Sequence, residues 1–412
     1  MNSPAPILSY PKNRINVLLL ENIHPEAVRL MKEEGYNVEL HHAALDEDEL
    51  IEKIKDVSIL GIRSKTHLTK KVLDHANRLI AVGAFCIGIN QIDIESCLKK
   101  GVIVFNAPYS NTRSVVELAI GEIIMLMRNL PDKLPLMHQG VWDKSAKSSF
   151  EIRNKKLGII GYGNIGTQLS VLAESLGMSV YYYDVEEKLS LGNATRCKSL
   201  KELLGTVDIL SLHVDGRAAN ERFIGEDEFD MMKPGMIFIN LSRGNIVDIE
   251  ALRKNILSGK IRGAAVDVFP KEPKSNNEEF VSPLRGLPNT ILTPHVGGST
   301  MEAQVNIANF VPARIIEYIN TGSSTTSVNF PNIQLPKLEN AHRLIHVHEN
   351  VSGVLANINQ VLAKNNINIM GQYLKTNEHV GYVITDIDKG YNNEVTKELK
   401  SIPHTIKFRI LY

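Results

Sequence analysis

The stretch KLGIIGYGNIGTQLSVLAESLGMSVYYYD, Lys156 to Asp184, decides the fold. It opens on an apolar run that reads as a buried strand. Gly161, Gly163 and Gly166 follow at once with the spacing G-x-G-x-x-G. A helix is then expected, with Ile165, Leu169, Leu172, Ala173 and Leu176 on one face and Gly177 at its end. The next apolar run, MSVYYY, stops at Asp184, eighteen positions after Gly166. Gly161 suits a tight turn, Gly163 a close approach of backbone to a pyrophosphate, and Gly166 tight packing of helix on strand. The helix start, at Asn164 and Ile165, offers free N–H groups and a partial positive charge to the phosphates. A carboxylate at Asp184 can bind ribose hydroxyls. It would repel a 2′-phosphate, and no arginine follows in DVEEK, so NAD is expected over NADP.

On both sides of this stretch, strands and helices alternate. Upstream, INVLLLE (Ile15 to Glu21), YNVELHH, SILGIR, RLIAVGAF and VIVFNA read as strands with helices between them, and a long helix is expected from about Thr112 to Asn129. Downstream, VDILSLHV, MIFINLS, IRGAAVDVF and TILTPH continue the pattern, ahead of a helix from about Met301 to Asn320. Such alternation implies α/β architecture with parallel sheets covered by helices on both faces. Residues 321–340 are polar and punctuated by proline, as a linker is. The last 70 or so residues read strand, helix, strand, strand, helix, strand, a small α+β module of its own.

Open α/β sheets bind ligands at the carboxyl ends of their strands. Three candidate groups lie there: Arg243 after MIFINLS, Glu272 after GAAVDVF, and His295 after TILTP. They converge if these strands are consecutive and parallel. Taken singly, each has an ordinary reading, as an ion-pair arginine, a turn carboxylate and a histidine bonded to its own turn. Together they suit hydride transfer from a 2-hydroxy acid. His295 titrates in the right range to take the hydroxyl proton. Glu272 can orient the ring and stabilise imidazolium, and Arg243 can clamp a carboxylate. Pro294 and the glycines Gly297 and Gly298 would hold His295 rigid and leave room for a nicotinamide. Leu241 and Ser242, just before Arg243, complete the expected cofactor pocket with those glycines.

The bulk numbers agree with an ordinary multidomain enzyme. The chain has 412 residues, too many for one core, and 43% are apolar. The 46 basic and 46 acidic residues cancel, which argues against bulk affinity for nucleic acid or acidic membranes. Cys86, Cys97 and Cys197 form no C-x-x-C pair and fit a reduced, cytoplasmic setting. No signal peptide or membrane span is read. No metal site is expected either: His346 and His348 share a strand face, but no third ligand follows at a telling spacing.

GYGNIG…D, LSRGNIVD, AVDVFPKEP and LTPHVGGST resemble the D-isomer-specific 2-hydroxyacid dehydrogenases, over about residues 15 to 330. The resemblance implies that Arg243, Glu272 and His295 are catalytic and that Asp267 holds the nicotinamide carboxamide. It also implies a chain path: a flavodoxin-like substrate domain from residues 1–108 and 299–336, a Rossmann-type NAD domain from 109–298, and a regulatory domain from 337–412. GAFCIGINQIDI, NAPYSNTRSVVEL and the tail are similar to the branch of that family that oxidises 3-phospho-D-glycerate. For that substrate, Arg63, Ser64 and Lys65 are expected near the phosphate, with Asn111 and Arg113 near the cleft. Lys144, after Trp142, is expected at a subunit contact, reaching a neighbour's site in a homo-oligomer, a tetramer by resemblance. Trp142 is otherwise read as a packing residue.

The tail resembles an ACT domain, implying an L-serine effector site from His348, Asn350 and Asn368 across paired tails. Two departures stand out. Val351 and Ser352 replace the arginine and proline usual in the effector loop, and Asp215 stands where a proline follows LHV. Two other readings stay open on the residues: a dehydrogenase for another D-2-hydroxy acid, such as 2-hydroxyglutarate, or a dinucleotide-sensing scaffold.

Overall fold

The computed structural model describes residues 11–273, 277–336, 342–388 and 393–411. The expected boundary between linker and tail, at residue 337, and the first ten residues lie outside them. The chain divides into two compact units, residues 1–110 with 304–412, and residues 111–303.

The first unit begins with β1 (Asn16–Leu19), α1 (Pro25–Glu33), β2 (Asn37–Leu40), α2 (Glu47–Ile54), β3 (Ile59–Ile62), α3 (Lys70–His75), β4 (Ala81–Ala84), α4 (Ile94–Lys99) and β5 (Ile103–Phe105). The strands form a parallel sheet in the order β2-β1-β3-β4-β5. The helices start where short polar side chains accept from orphan amides: Asp46, Thr69 and Asp93 cap α2, α3 and α4.

The second unit opens with α5 (Thr112–Met127) and α6 (Leu130–His138). There follow β6 (Lys156–Ile160), α7 (Asn164–Ser175), β7 (Ser179–Tyr183), β8 (Thr195–Arg196), α8 (Leu200–Thr206), β9 (Ile209–Leu212), α9 (Glu226–Met231), β10 (Met236–Asn240), α10 (Ile249–Leu257), β11 (Ile261–Val266) and β12 (Thr290–Leu292). The sheet is parallel, in the order β12-β11-β10-β9-β6-β7-β8. Strands β6, β9, β10 and β11 are almost wholly buried, which is why they read as unbroken apolar runs. On α7, Leu169 and Ala173 are buried as expected, whereas Leu176 is exposed because the helix has already ended before it.

Helix α11 (Met301–Thr321) leads back into the first unit, which ends with β13 (His342–Glu349), α12 (Val354–Lys364), β14 (Ile369–Thr376), β15 (Val380–Ile387), α13 (Asn393–Lys400) and β16 (Thr405–Leu411). These strands form an antiparallel sheet, β14-β15-β13-β16. One face carries Leu344 and Val383 against α12 and α13. The other carries Ile345, Val347, Tyr382 and Ile384 into the same apolar cluster as Phe105, Tyr318 and Phe330. Arg343 and Asp386 form a buried ion pair on that face. The Arg343 guanidinium also donates to Thr321 O, and the Tyr382 hydroxyl to Gly322 O, so the tail caps the carboxyl end of α11.

Candidate active site

The glycine loop has the geometry its spacing implies. Gly161 has φ +90°, and a Cβ there would sit 2.5 Å from His213 O. A Cβ on Gly166 would lie 2.3 Å from Gly161 O, so only glycine lets α7 sit this close to β6. At Gly163 a Cβ would meet nothing within 4 Å, which is the open approach a pyrophosphate needs. Gly163 caps α7 without any side-chain bond, so the amides at Asn164 and Ile165 are left for an anion. Asp184 is fixed by Tyr162 N–H at 2.8 Å and Glu186 N–H at 2.9 Å. These residues fit a dinucleotide. Arginines absent from the local sequence do come near by folding: Arg196 reaches Asp184 O and Glu186 O, and Arg217 feels the charges of Asp184 and Glu186. Asp215, the departure after LHV, is held in a two-toothed ion pair by Arg217.

Strands β10, β11 and β12 are neighbours in the sheet, so Arg243, Glu272 and His295 leave the same edge. His295 Nδ1 lies 2.9 Å from Glu272 Oε2, and Glu272 Oε1 accepts from Phe269 N–H at 3.1 Å. The hydrogen bond to Glu272 raises the His295 pKa against the opposing effect of burial; the charges of Glu272 and Asp267 add to the rise, and Arg243 opposes it. Burial pushes the Glu272 pKa up, but the bonds from His295 and Phe269 outweigh it and leave the carboxyl below its usual range. A cavity of about 630 Å³ opens here, lined by Phe269, Glu272, Leu292, Pro294 and His295 among others. Arg243 Nη1 donates to Ser242 O, and Ser242 is tied through Asn240, whose amide returns to Arg243 O. Gly244 lets this turn pass the Phe269 backbone, where a Cβ would fall 2.0 Å from Phe269 C.

His295 itself has φ +55°, a left-handed conformation that a non-glycine residue adopts only when held there. The holding group is Asp267, buried at 1% exposure. Its carboxylate accepts from the Thr293 hydroxyl at 2.6 Å and from the amides of Val296 and Gly297 at 2.8 Å. A Cβ on Gly297 would come 2.9 Å from Asp267 Oδ2 and one on Gly298 2.0 Å from Asn111 Nδ2, so both positions need glycine for the turn to pack. Buried Glu122 on α5 was not singled out from sequence. Among the described residues neither carboxyl oxygen has a hydrogen-bond partner, and burial, with Asp267 nearby, pushes its pKa up to about 8. An isolated glutamate in an amphipathic helix carries no local signal of this.

Arg63, Ser64 and Lys65 lie at the carboxyl edge of the first sheet, after β3. Among the described residues neither Arg63 nor Lys65 has an ion-pair partner. Arg113 is paired with Glu117 one turn on, as a surface arginine would be. Asn111 precedes α5, with its Oδ1 buried and without a hydrogen-bond partner among the described residues. Lys144 is exposed, beside a Trp142 that is 76% exposed. Trp142 is therefore not buried by the described residues of its own chain, against the packing role expected for it.

In the tail, His348 is buried, its Nδ1 2.6 Å from Glu349 O and its Nε2 without a hydrogen-bond partner among the described residues. Asn350 donates to Asn377 O at 2.8 Å, while Asn368 is exposed. The register aligns Ile369 with Ile387 and that in turn with His342, so Asn368 stands at the opposite end of the sheet from His348. At roughly 3.3 Å per residue the two are on the order of 20 Å apart. One tail cannot bring all three residues to one small ligand.

The glycine loop, the acid and the edge cluster together define a class, the nicotinamide-dependent dehydrogenases. Residues 120–297 match the NAD binding domain of the D-isomer specific 2-hydroxyacid dehydrogenases, and residues 344–407 match the AHAS small subunit-like ACT domain. D-3-phosphoglycerate dehydrogenase of Haemophilus influenzae is 50% identical over 406 residues, covering 98% of this chain and 99% of that protein. The Escherichia coli K12 protein of that name is 49% identical over 98% of this chain and 99% of its own. Among solved structures, a D-lactate dehydrogenase from Aquifex aeolicus, complexed with NAD and lactic acid, superposes with a TM-score of 0.66 at 25% identity, over 74% of this chain and 95% of that one. The chain belongs to the D-3-phosphoglycerate dehydrogenases, within the D-isomer-specific 2-hydroxyacid dehydrogenase family; it is an oxidoreductase and its cofactor is NAD. Among the described residues no helix is long and apolar enough to cross a membrane.

Proposed function

We propose that the chain oxidises 3-phospho-D-glycerate to 3-phosphohydroxypyruvate with NAD, in the cytoplasm, as the first step of L-serine biosynthesis, and that L-serine inhibits it. The observation that carries the chemistry is the 2.9 Å bond between His295 and Glu272 in the unit that also holds the dinucleotide loop. With Nδ1 committed to Glu272, His295 Nε2 takes the C2 hydroxyl proton. Glu272 keeps the ring oriented and stabilises the imidazolium that forms. Arg243 binds the substrate carboxylate and polarises the C2 oxygen. When bound, NAD supplies the hydride acceptor, held by Gly161, Gly163, Asn164, Ile165, Gly166, Asp184, Leu241, Ser242, Asp267, Gly297 and Gly298. Asp267, assigned to the nicotinamide carboxamide, also sets the turn that carries His295, Gly297 and Gly298.

Residues 1–108 with 299–336 are assigned as substrate domain, 109–298 as NAD domain and 337–412 as regulatory domain. Arg63, Ser64 and Lys65 meet the substrate phosphate, with Asn111 near them. The separation of Asn368 from His348 and Asn350 supports a serine site made by two tails, each giving one part. The exposed Trp142, Val141 and Met137 support a homo-oligomer, taken as a tetramer, in which Lys144 reaches a neighbour's site.

The test is NADH consumption with 3-phosphohydroxypyruvate, with and without millimolar L-serine, and His295→Ala as the blank. Turnover suppressed by serine supports both parts. Turnover indifferent to serine retains the enzyme and removes the effector role of His348, Asn350 and Asn368. A folded, NADH-binding protein without turnover overturns the substrate assignment.

A further inference from the structure

Two adjacent residues at the carboxyl end of β1, Glu21 and Asn22, both adopt left-handed backbone, with φ +63° and +52°. Neither is glycine, so the conformation is unfavourable and something must hold it. The Glu21 carboxylate is only 8% exposed. Its Oε1 accepts from Arg63 N–H at 3.1 Å and Thr66 N–H at 2.8 Å, and its Oε2 from Lys65 N–H at 2.9 Å. The register explains the reach. Leu19 pairs with Gly61, so Glu21 comes level with Arg63 on the adjacent strand's exit. The left-handed turn swings the side chain across to that loop. Gln91 grips the same loop from the other side, donating to Arg63 O. Asn22 meanwhile bonds His42, after β2, at 2.9 Å.

The amides of Arg63, Lys65 and Thr66 would suit an incoming anion, but a resident carboxylate already takes them. Those three amides are then not available to an incoming phosphate, which falls to the Arg63 and Lys65 side chains and the rest of the loop, and a nearby negative charge works against it. An acid at this position is therefore explained by geometry and not by charge. We infer that Glu21 is a positioning residue that presets the backbone of residues 63–66, so that Arg63 and Lys65 present their cations to the substrate's phosphate. This rests on the assignment of those two residues to the phosphate.

The test is Glu21→Gln, which keeps the shape but turns an N–H donor toward one of the three amides. Losing charge-assisted bonds of this kind costs about 10-fold or more in affinity. The expected result is a KM for 3-phosphohydroxypyruvate raised about 10-fold, with kcat and the KM for NADH within about 2-fold. The KM for unphosphorylated hydroxypyruvate, assayed at saturating NADH, should not change. An equal rise for both substrates would mark Glu21 as merely structural. An unchanged or lower KM for the phosphorylated substrate would show that repulsion outweighs positioning. Either result overturns the inference. Glu21→Asp, which keeps the charge but withdraws the oxygens by one methylene, decides in the same way if Glu21→Gln does not fold. The paired control is Arg63→Ala with Lys65→Ala. If it leaves the phosphorylated KM unchanged, the phosphate assignment itself fails. If it raises that KM while Glu21→Gln does not, only the role of Glu21 fails.

Discussion

Asp267 holds His295 without touching it: its carboxylate binds the hydroxyl of Thr293 and the amides of Val296 and Gly297, on either side of the histidine. The ring is aimed by Glu272 and the backbone beneath it by Asp267. Two carboxylates thus divide one task. Asp267→Asn would turn an N–H toward at least one of these donors. It should lower kcat by about 10-fold to 100-fold, more than it weakens NADH binding, because misplacing a catalytic group is costly. Stopped-flow turnover beside an NADH titration separates the two.

The pH profile follows from the raised His295 pKa and the lowered Glu272 pKa. Oxidation needs neutral His295, so its kcat/KM should fall as pH drops through the raised value. Reduction needs the imidazolium and should fall as pH climbs through it. Glu272→Gln removes the main cause of the rise, so both limbs should move to lower pH. The linkage to stability has matching signs: the His295 contribution is complete below its unfolded pKa and lost as pH rises through the folded one, while that of Glu272 is lost as pH falls through its own. His295→Ala should cost about 10² to 10⁴ in kcat.

Glu122 stands apart from the substrate chemistry and gives a stability test. Its pKa of about 8 in the folded protein lies above the ordinary 4.5, so the folded state binds the extra proton between those values. Stability should therefore decline as pH rises from about 4.5 to 8. Glu122→Gln should flatten that decline and raise the melting temperature at pH 8 by a few degrees, as calorimetry would show.

Two glycines of the loop should behave differently. Gly163→Ala meets no atom within 4 Å, so the melting temperature without cofactor should hold while NADH affinity falls about 10-fold or more. Gly166→Ala drives a Cβ to 2.3 Å from Gly161 O and should destabilise the unit itself. Thermal melts and a fluorescence titration of NADH distinguish these outcomes.

The tail offers a cleaner variant than its proposed ligands. A Cβ on Gly381 would come 2.2 Å from His348 Cε1. Gly381→Ala should displace that ring and raise the serine concentration for half inhibition, leaving turnover without serine unchanged. Removing Asp386 should do something else. Arg343 would remain buried and unpaired at the end of α11, which costs about 3–5 kcal/mol and should show in urea unfolding.

Local periodicity and spacing determined much of this protein. G-x-G-x-x-G between an apolar strand and an amphipathic helix encodes its own turn, and the close contact at Gly166 follows from the spacing alone. Unbroken apolar runs announced β6, β9, β10 and β11 because both faces of a parallel sheet are covered. Arg243, Glu272 and His295 could be picked out as residues that follow strands. Tertiary structure alone decided that β10, β11 and β12 are neighbours, and so that the three share an edge. It also assigned Asp267 to the histidine turn, Glu21 to the loop after β3, and one face of the tail's sheet to the cluster around Tyr318. These are contacts between residues far apart in the chain. Their cause is the register of strands and the burial of unpaired polar groups, which no window of sequence contains.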